Sequence, residues 1–478
     1  MTRTTAPEKA KTDKTPGASA APEEASGSQL THGLKQRHLS MIALGGVIGA
    51  GLFVGSGTGI AAAGPAIVLL FAGAGAVVML IMRMLGEMSA ARPATGSFSV
   101  HAEKEIGAWA GVTSGWMYWV MLCCGVAAEA TAAGDIMHGW AGFIPAYGWV
   151  AIFMVFFCLT NLAAVKNFGE FEFIFSGIKV LAISSFLVIG VLGICGVFGD
   201  APGDAYLTGD GGFFPTGTAG LIAGLLTAVF AYGGLETVTI AAAESDHPRK
   251  NVARAVRTAV WRIAIFYIGS MALIVTLVPW DDPNVAKNGP YVTVLQDLDI
   301  PAADTIMKVV ILIALLSAMN ANIYGASRMS YSLVSRGQGP RFLGKVIKGV
   351  PMPAVIASCF FGFLAIEAGV LWPDTVFTWL MNTTGCAVLV VWAFICLTQL
   401  KMRRRLEREE PELLTVKMWG FPYLTWVALV AIVGVFVAMG TTSGGRDQLY
   451  VSAILVAALA GAGYAKQRRD AAKAAYAA

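Results

Sequence analysis

The sequence predicts an all-α polytopic membrane protein: twelve transmembrane helices, built as a five-plus-five inverted repeat with broken helices 1 and 6. Composition gives the class. Of 478 residues, 56% are hydrophobic and only 13% charged, where a soluble domain carries about 25% charge. Mean hydropathy is +0.66. Run length gives the helices, since about 20 apolar residues cross a bilayer core. Glycine placement gives the breaks, because two of the runs are interrupted at matching positions of the two halves.

Residues 1–33 read as a disordered cytoplasmic tail, rich in Thr, Ala, Pro, Glu, Ser and Lys. They lack an apolar core followed by a small-residue cleavage site, so no signal peptide is expected and the first span directs insertion. Twelve runs of spanning length follow, at 40–61, 66–90, 109–138, 148–165, 171–198, 219–244, 257–279, 304–333, 353–371, 375–399, 421–440 and 449–466. Residues 34–400 would form the transporter core (spans 1–10), and 401–478 would add spans 11 and 12 and a cytoplasmic tail. Prolines such as Pro65, Pro145, Pro279 and Pro353 sit at span edges or in loops. Any break inside a span must therefore come from glycine.

Basic residues set the orientation. Arg249, Lys250 and Arg254 follow span 6, and Arg336, Arg341 and Lys345 follow span 8. Lys401, Arg403, Arg404 and Arg405 follow span 10. The opposite connections carry acids such as Asp200, Asp204, Asp281 and Asp282. Both termini are then cytoplasmic, in a multi-pass protein of the cytoplasmic membrane whose partner is the lipid bilayer. The cysteines lie in apolar segments, no HExxH pattern occurs, and Gly344-Lys345 lacks the spacing of a phosphate loop. No metal, cofactor, nucleic-acid partner or enzymatic activity is expected.

Span 1 reads SMIALGGVIGAGLFVGSGTG, with Gly45, Gly46, Gly49, Gly51, Gly55, Gly57 and Gly59 along it. Glycine weakens a helix by about 1 kcal/mol relative to alanine. Unwound backbone in a membrane survives only against protein or a wet cavity. Close packing of helices through small residues is the plainer alternative. Span 6 decides between them: Gly233-Gly234 lies in its middle, followed by Glu236. Two interrupted helices of opposite orientation, five spans apart, mark an inverted-repeat transporter with its site at the breaks.

The two ends of a zwitterion suit these breaks. Near Ile48, Gly49, Ala50 and Gly51 an outer half-helix begins, and its N–H groups favour a carboxylate. Near Phe230, Ala231, Tyr232 and Gly233 another ends, and its carbonyls favour an ammonium. Phe230 and Tyr232 are also the aromatics placed to occlude a solute. Glu236 is an intramembrane acid, fit for ammonium binding or proton carriage. Its alternative is a fixed hydrogen bond that holds the break open. Glu129 lies about twenty residues into span 3 and could meet a distal amino group or reach the outer interface. Lys179 stands about 12 Å into span 5 at 1.5 Å per residue, far for snorkelling. Arg83 and Glu87 are one turn apart and set to pair. Glu244, Asp246 and Arg328 could form a cytoplasmic gate or simply solvate helix ends. Asn320 and Asn322 of span 8 are placed to line the cavity.

The runs LKQRHLSMIALGGVIGAGLFVGSG (34–57), MRMLGEM (82–88), TGSFS (95–99), NFGEFEF (167–173) and AAAESDHPRKNVARAVRTAVWRIAIFY (241–267) resemble the amino acid transporter family. That family belongs to the amino acid–polyamine–organocation superfamily, and its γ-aminobutyrate permeases are the nearest likeness. The resemblance implies a proton-coupled importer whose freed backbone in spans 1 and 6 holds an amino acid, γ-aminobutyrate first. It also implies that Lys179 carries the proton, with the intramembrane acid Glu236 as the second candidate from its place at the break. Relatives for small neutral amino acids (alanine, glycine, serine, proline) share the span 1 motif, and an exchanger stays open. A membrane sensor would need an output domain, for which no loop or tail is long enough. The oligomeric state is not legible, and one copy suffices for a site of this kind.

Overall fold

The computed structural model describes Met41, Gly45 and residues 48–94, 96–163, 165–199, 203–209, 211–243, 258, 261–372 and 375–477. Among the described residues the chain is helical, without a β-strand; one isolated bridge joins Ile347 and Val350. Among the described residues, eight helices are long and apolar enough to cross a membrane. Ala146–Leu162, Ile263–Leu277 and Tyr423–Met439 are shorter apolar helices. The first of the eight, Gly51–Ala91, takes in two predicted spans. They part at Gly64 and Pro65, where Gly64 has φ +63°.

The glycine-rich stretch is interrupted as the sequence reads. Ile48 and Gly49 lie outside helix, and helical geometry resumes at Ala50. A wide π-helical turn, Gly51–Gly55, runs into the α-helix Ser56–Ala63. The N–H groups of Leu52 and Phe53 converge on the Gly49 carbonyl at 3.2 and 3.1 Å.

Span 6 stops at Tyr232 and restarts at Thr237. Between them Gly233 is extended (φ −60°, ψ 143°) and Gly234 has φ +92°. A side chain at that φ would be strained, so Gly234 is what the break requires.

Long helices frame these breaks. Ala108–Trp140 (span 3) and Ala303–Ser335 (span 8) pack together at the centre with Val376–Glu409 (span 10). The connections also hold short helices. Ser97–Glu105 lies between spans 2 and 3. Glu103 pairs with Arg336, and Glu105 pairs with Arg405 at 2.6 Å. Pro283–Lys287 and Pro290–Asp297 lie between spans 7 and 8. Tyr291 of the second covers the C-terminal half of span 1, its ring 4.9 Å from that of Phe53.

One expected pair does not form. Glu87 leaves Arg83 and instead accepts from Arg403 (2.6 Å), Gln399 (2.8 Å) and the Met418 N–H (2.5 Å). Arg83 donates to the Lys417 carbonyl at 2.8 Å. Glu87 is buried and Arg83 is not. A buried carboxylate needs several donors at once, and a neighbour one turn away on an exposed face supplies too few.

Candidate substrate site

The two breaks touch. A Cβ on Gly51 would lie 2.5 Å from the Ala231 Cα and 3.1 Å from its nitrogen. Only a residue without a side chain lets the two half-helices meet there. Beside this contact is a cavity of about 30 Å³. Gly51 lines it from span 1, and Met121, Gly125 and Glu129 from span 3. Phe230, Ala231 and Gly233 line it from span 6, with Asn322 from span 8 and Thr384 from span 10.

Glu129 is buried and its carboxylate lies on the start of the span 1 half-helix. Both oxygens accept from the Ala50 N–H, at 2.9 and 3.1 Å. A helix start carries unpaired N–H groups and about half a positive charge, so a carboxylate is favoured there. The bond joins residues 79 apart in sequence. Gly49 makes room for it, since a Cβ there would collide with the Glu129 carboxylate and the Ala318 methyl.

Two other expected site residues stand off the cavity. Tyr232 sends its hydroxyl to the Phe71 carbonyl at 2.9 Å, and its ring stacks on Tyr267 with centroids 4.8 Å apart. It therefore packs span 6 against spans 2 and 7. Glu236 accepts from the Gly234 N–H at 3.1 Å and from the Trp392 indole N–H. Fixed hydrogen bonding at the break is one of the roles the sequence leaves open for Glu236, beside ammonium binding and proton carriage. The Phe230 carbonyl also has a donor, the Gly233 N–H at 3.0 Å. Asn322 reaches the cavity, whereas Asn320 accepts from Asn161 at 2.7 Å. Arg328 is buried with its guanidinium 4.7 Å over the Tyr324 ring. Glu244 and Asp246 lie outside the described residues.

Lys179 is completely buried, and so is a carboxylate the sequence reading passed over, Glu172. The two sit 3.7 Å apart on the same helix, Val165–Ile194. Ser317 of span 8 joins them, accepting from Lys179 at 3.0 Å and donating to Glu172 at 2.8 Å. Ser176 donates to the other Glu172 oxygen at 2.9 Å. Ser176 also packs on Gly45 of span 1, where a Cβ would come within 2.6 Å of its hydroxyl. The cluster therefore joins spans 1, 5 and 8, and Lys179 is within electrostatic reach of Glu129 as well. The signal was present in the spacing, because residues seven apart share one helix face.

A polytopic helical membrane protein with two interrupted helices meeting at a buried polar cavity is a transporter by architecture. A manganese transporter from Eremococcus coleocola shares the fold, with TM-score 0.59 at 12% identity, covering 91% of this chain and 94% of that one. Residues 38–474 match the amino acid permease family. The γ-aminobutyric acid permease of Bacillus subtilis (strain 168) is 44% identical, covering 90% of this chain and 92% of the relative. That of Escherichia coli (strain K12) is 42% identical, covering 88% and 90%. The aromatic amino acid transport protein AroP of Corynebacterium glutamicum is 45% identical, covering 88% and 92%. The chain belongs to the amino acid permease family.

Proposed function

We propose that this permease is a proton-coupled importer of γ-aminobutyrate that works by alternating access, with both termini in the cytoplasm. One observation carries the substrate: an acidic side chain, Glu129, shares the cavity with both broken helices. γ-Aminobutyrate places its charges three methylenes apart. Its carboxylate suits the Ala50 N–H at the start of the span 1 half-helix, and its ammonium suits Glu129, the carboxylate that itself bonds that N–H. An α-amino acid brings its two charges to one carbon and has no need of a second, distal anchor.

The Lys179–Glu172 cluster is the proton site in this reading. Adding or removing one proton changes the net charge between spans 5 and 8, where Ser317 ties them together. In a dry interior an uncompensated charge is costly, so the helices have reason to rearrange when the count changes. Glu129 lies within electrostatic reach of Lys179, which gives the substrate site a link to the proton site.

A second reading, an aromatic substrate, is favoured by the Corynebacterium relative. Proteoliposome uptake separates the two. Labelled γ-aminobutyrate should accumulate with an inward proton gradient, without sodium, and resist excess phenylalanine. Uptake of phenylalanine with no uptake of γ-aminobutyrate moves the assignment to the aromatic reading. Accumulation that needs sodium overturns the proton coupling.

A further inference from the structure

Glu129 holds the position that the proposed function gives to the substrate's own carboxylate. Its two oxygens straddle the Ala50 N–H at 2.9 and 3.1 Å, at the break and on the wall of the cavity. The carboxylate comes from a different helix, so the bond does not belong to the local structure of span 1. The cavity beside it is only about 30 Å³, room for one or two waters and too little for an amino acid. Ala50, at the N-cap of this half-helix, makes no side-chain cap of its own.

We propose that Glu129 is an internal stand-in for the substrate carboxylate. It caps the span 1 half-helix while the site is empty and is displaced when substrate binds. The freed Glu129 then meets the substrate's ammonium. The inference rests on the amino acid site proposed above. It adds a consequence that simple ammonium binding lacks, because Glu129 competes with one end of the substrate and rewards the other. A carboxylate without an amine must displace Glu129 and gains nothing in return. A zwitterion recovers the loss by pairing with the displaced group. The site thereby rejects simple fatty acids of the same length.

The test is binding of butyrate, which is γ-aminobutyrate without its amine, to purified protein by isothermal titration. Glu129→Ala and Glu129→Gln both remove the competing charge, and Gln keeps the shape if Ala fails to fold. Butyrate should bind each folded variant at least ~10-fold more tightly than the unaltered protein, the factor carried by a charged hydrogen bond. γ-Aminobutyrate should bind more weakly to both. Butyrate binding that is unchanged or weaker in the variants overturns the proposal. The amino acid site itself is judged separately, by γ-aminobutyrate or phenylalanine binding to the unaltered protein. If phenylalanine is the solute bound, 3-phenylpropionate replaces butyrate in the same comparison.

Discussion

Gly51→Ala tests the contact on which the site is built. The new Cβ would stand 2.5 Å from the Ala231 Cα and 3.1 Å from both its nitrogen and its Cβ. Nonbonded carbons settle at about 3.5–4.0 Å, so the half-helices must part by about 1 Å. The obstruction is backbone and cannot rotate away. Overpacking of this kind costs about 1–3 kcal/mol, which is a factor of roughly 5 to 150 in an equilibrium. The cost falls on the conformation in which the breaks touch, so initial uptake should drop by that factor. Gly73→Ala on span 2 is the control, since its Cβ would meet nothing within 4 Å. Gly125→Ala is intermediate, because it would press only on the Asn322 amide at 2.9 Å, which can swing aside. The assay is initial-rate uptake in proteoliposomes of the amino acid the unaltered chain carries best, at matched protein and with thermal unfolding alongside. Gly51→Ala transport within twofold of the unaltered protein would refute the reasoning.

Three further outcomes are expected. Lys179→Ala leaves Glu172 buried without its cation and should cost about 3–5 kcal/mol of stability. Adding Glu172→Gln should restore the unfolding temperature but not accumulation against a gradient, read by melting and by uptake. Tyr232→Phe should lower stability by about 0.5–1.5 kcal/mol through the lost bond to Phe71 and leave the apparent KM within twofold. His101, in the helix between spans 2 and 3, is held down to about 3 from 6.5 by burial and then by Lys104, Arg92 and Arg336. The unfolded chain then binds a proton that the folded chain refuses, so stability is full above pH 6.5 and is lost as pH falls toward 3. At pH 5 the loss is about 2 kcal/mol. His101→Gln should therefore flatten the fall in melting temperature between pH 7 and pH 5; an equal fall in both proteins contradicts it.

The sequence by itself determined the class, the helical character of the chain, the two breaks and the family. These are local properties: apolar run length, the absence of proline inside spans, and glycines clustered where no stable helix wants them. It also brought Gly51, Phe230, Ala231, Gly233 and Glu129 to one place, because the breaks mark the centre of the membrane. The tertiary structure alone decided which way each side chain goes. Ala231 and Tyr232 are adjacent, and about 100° of helix rotation sends the first to Gly51 and the second to Phe71 and Tyr267. Glu236 reads as an intramembrane acid at the break, and the Trp392 indole that bonds it comes from span 10. Glu172 drew no reading from the sequence, and the Ser317 hydroxyl that bonds it comes from span 8. Glu129 reads as an ammonium partner or an interfacial acid, and only the structure sets it on the Ala50 N–H, 79 residues away. In each case a buried charge takes its role from the donors that surround it, and those donors come from helices distant in the chain.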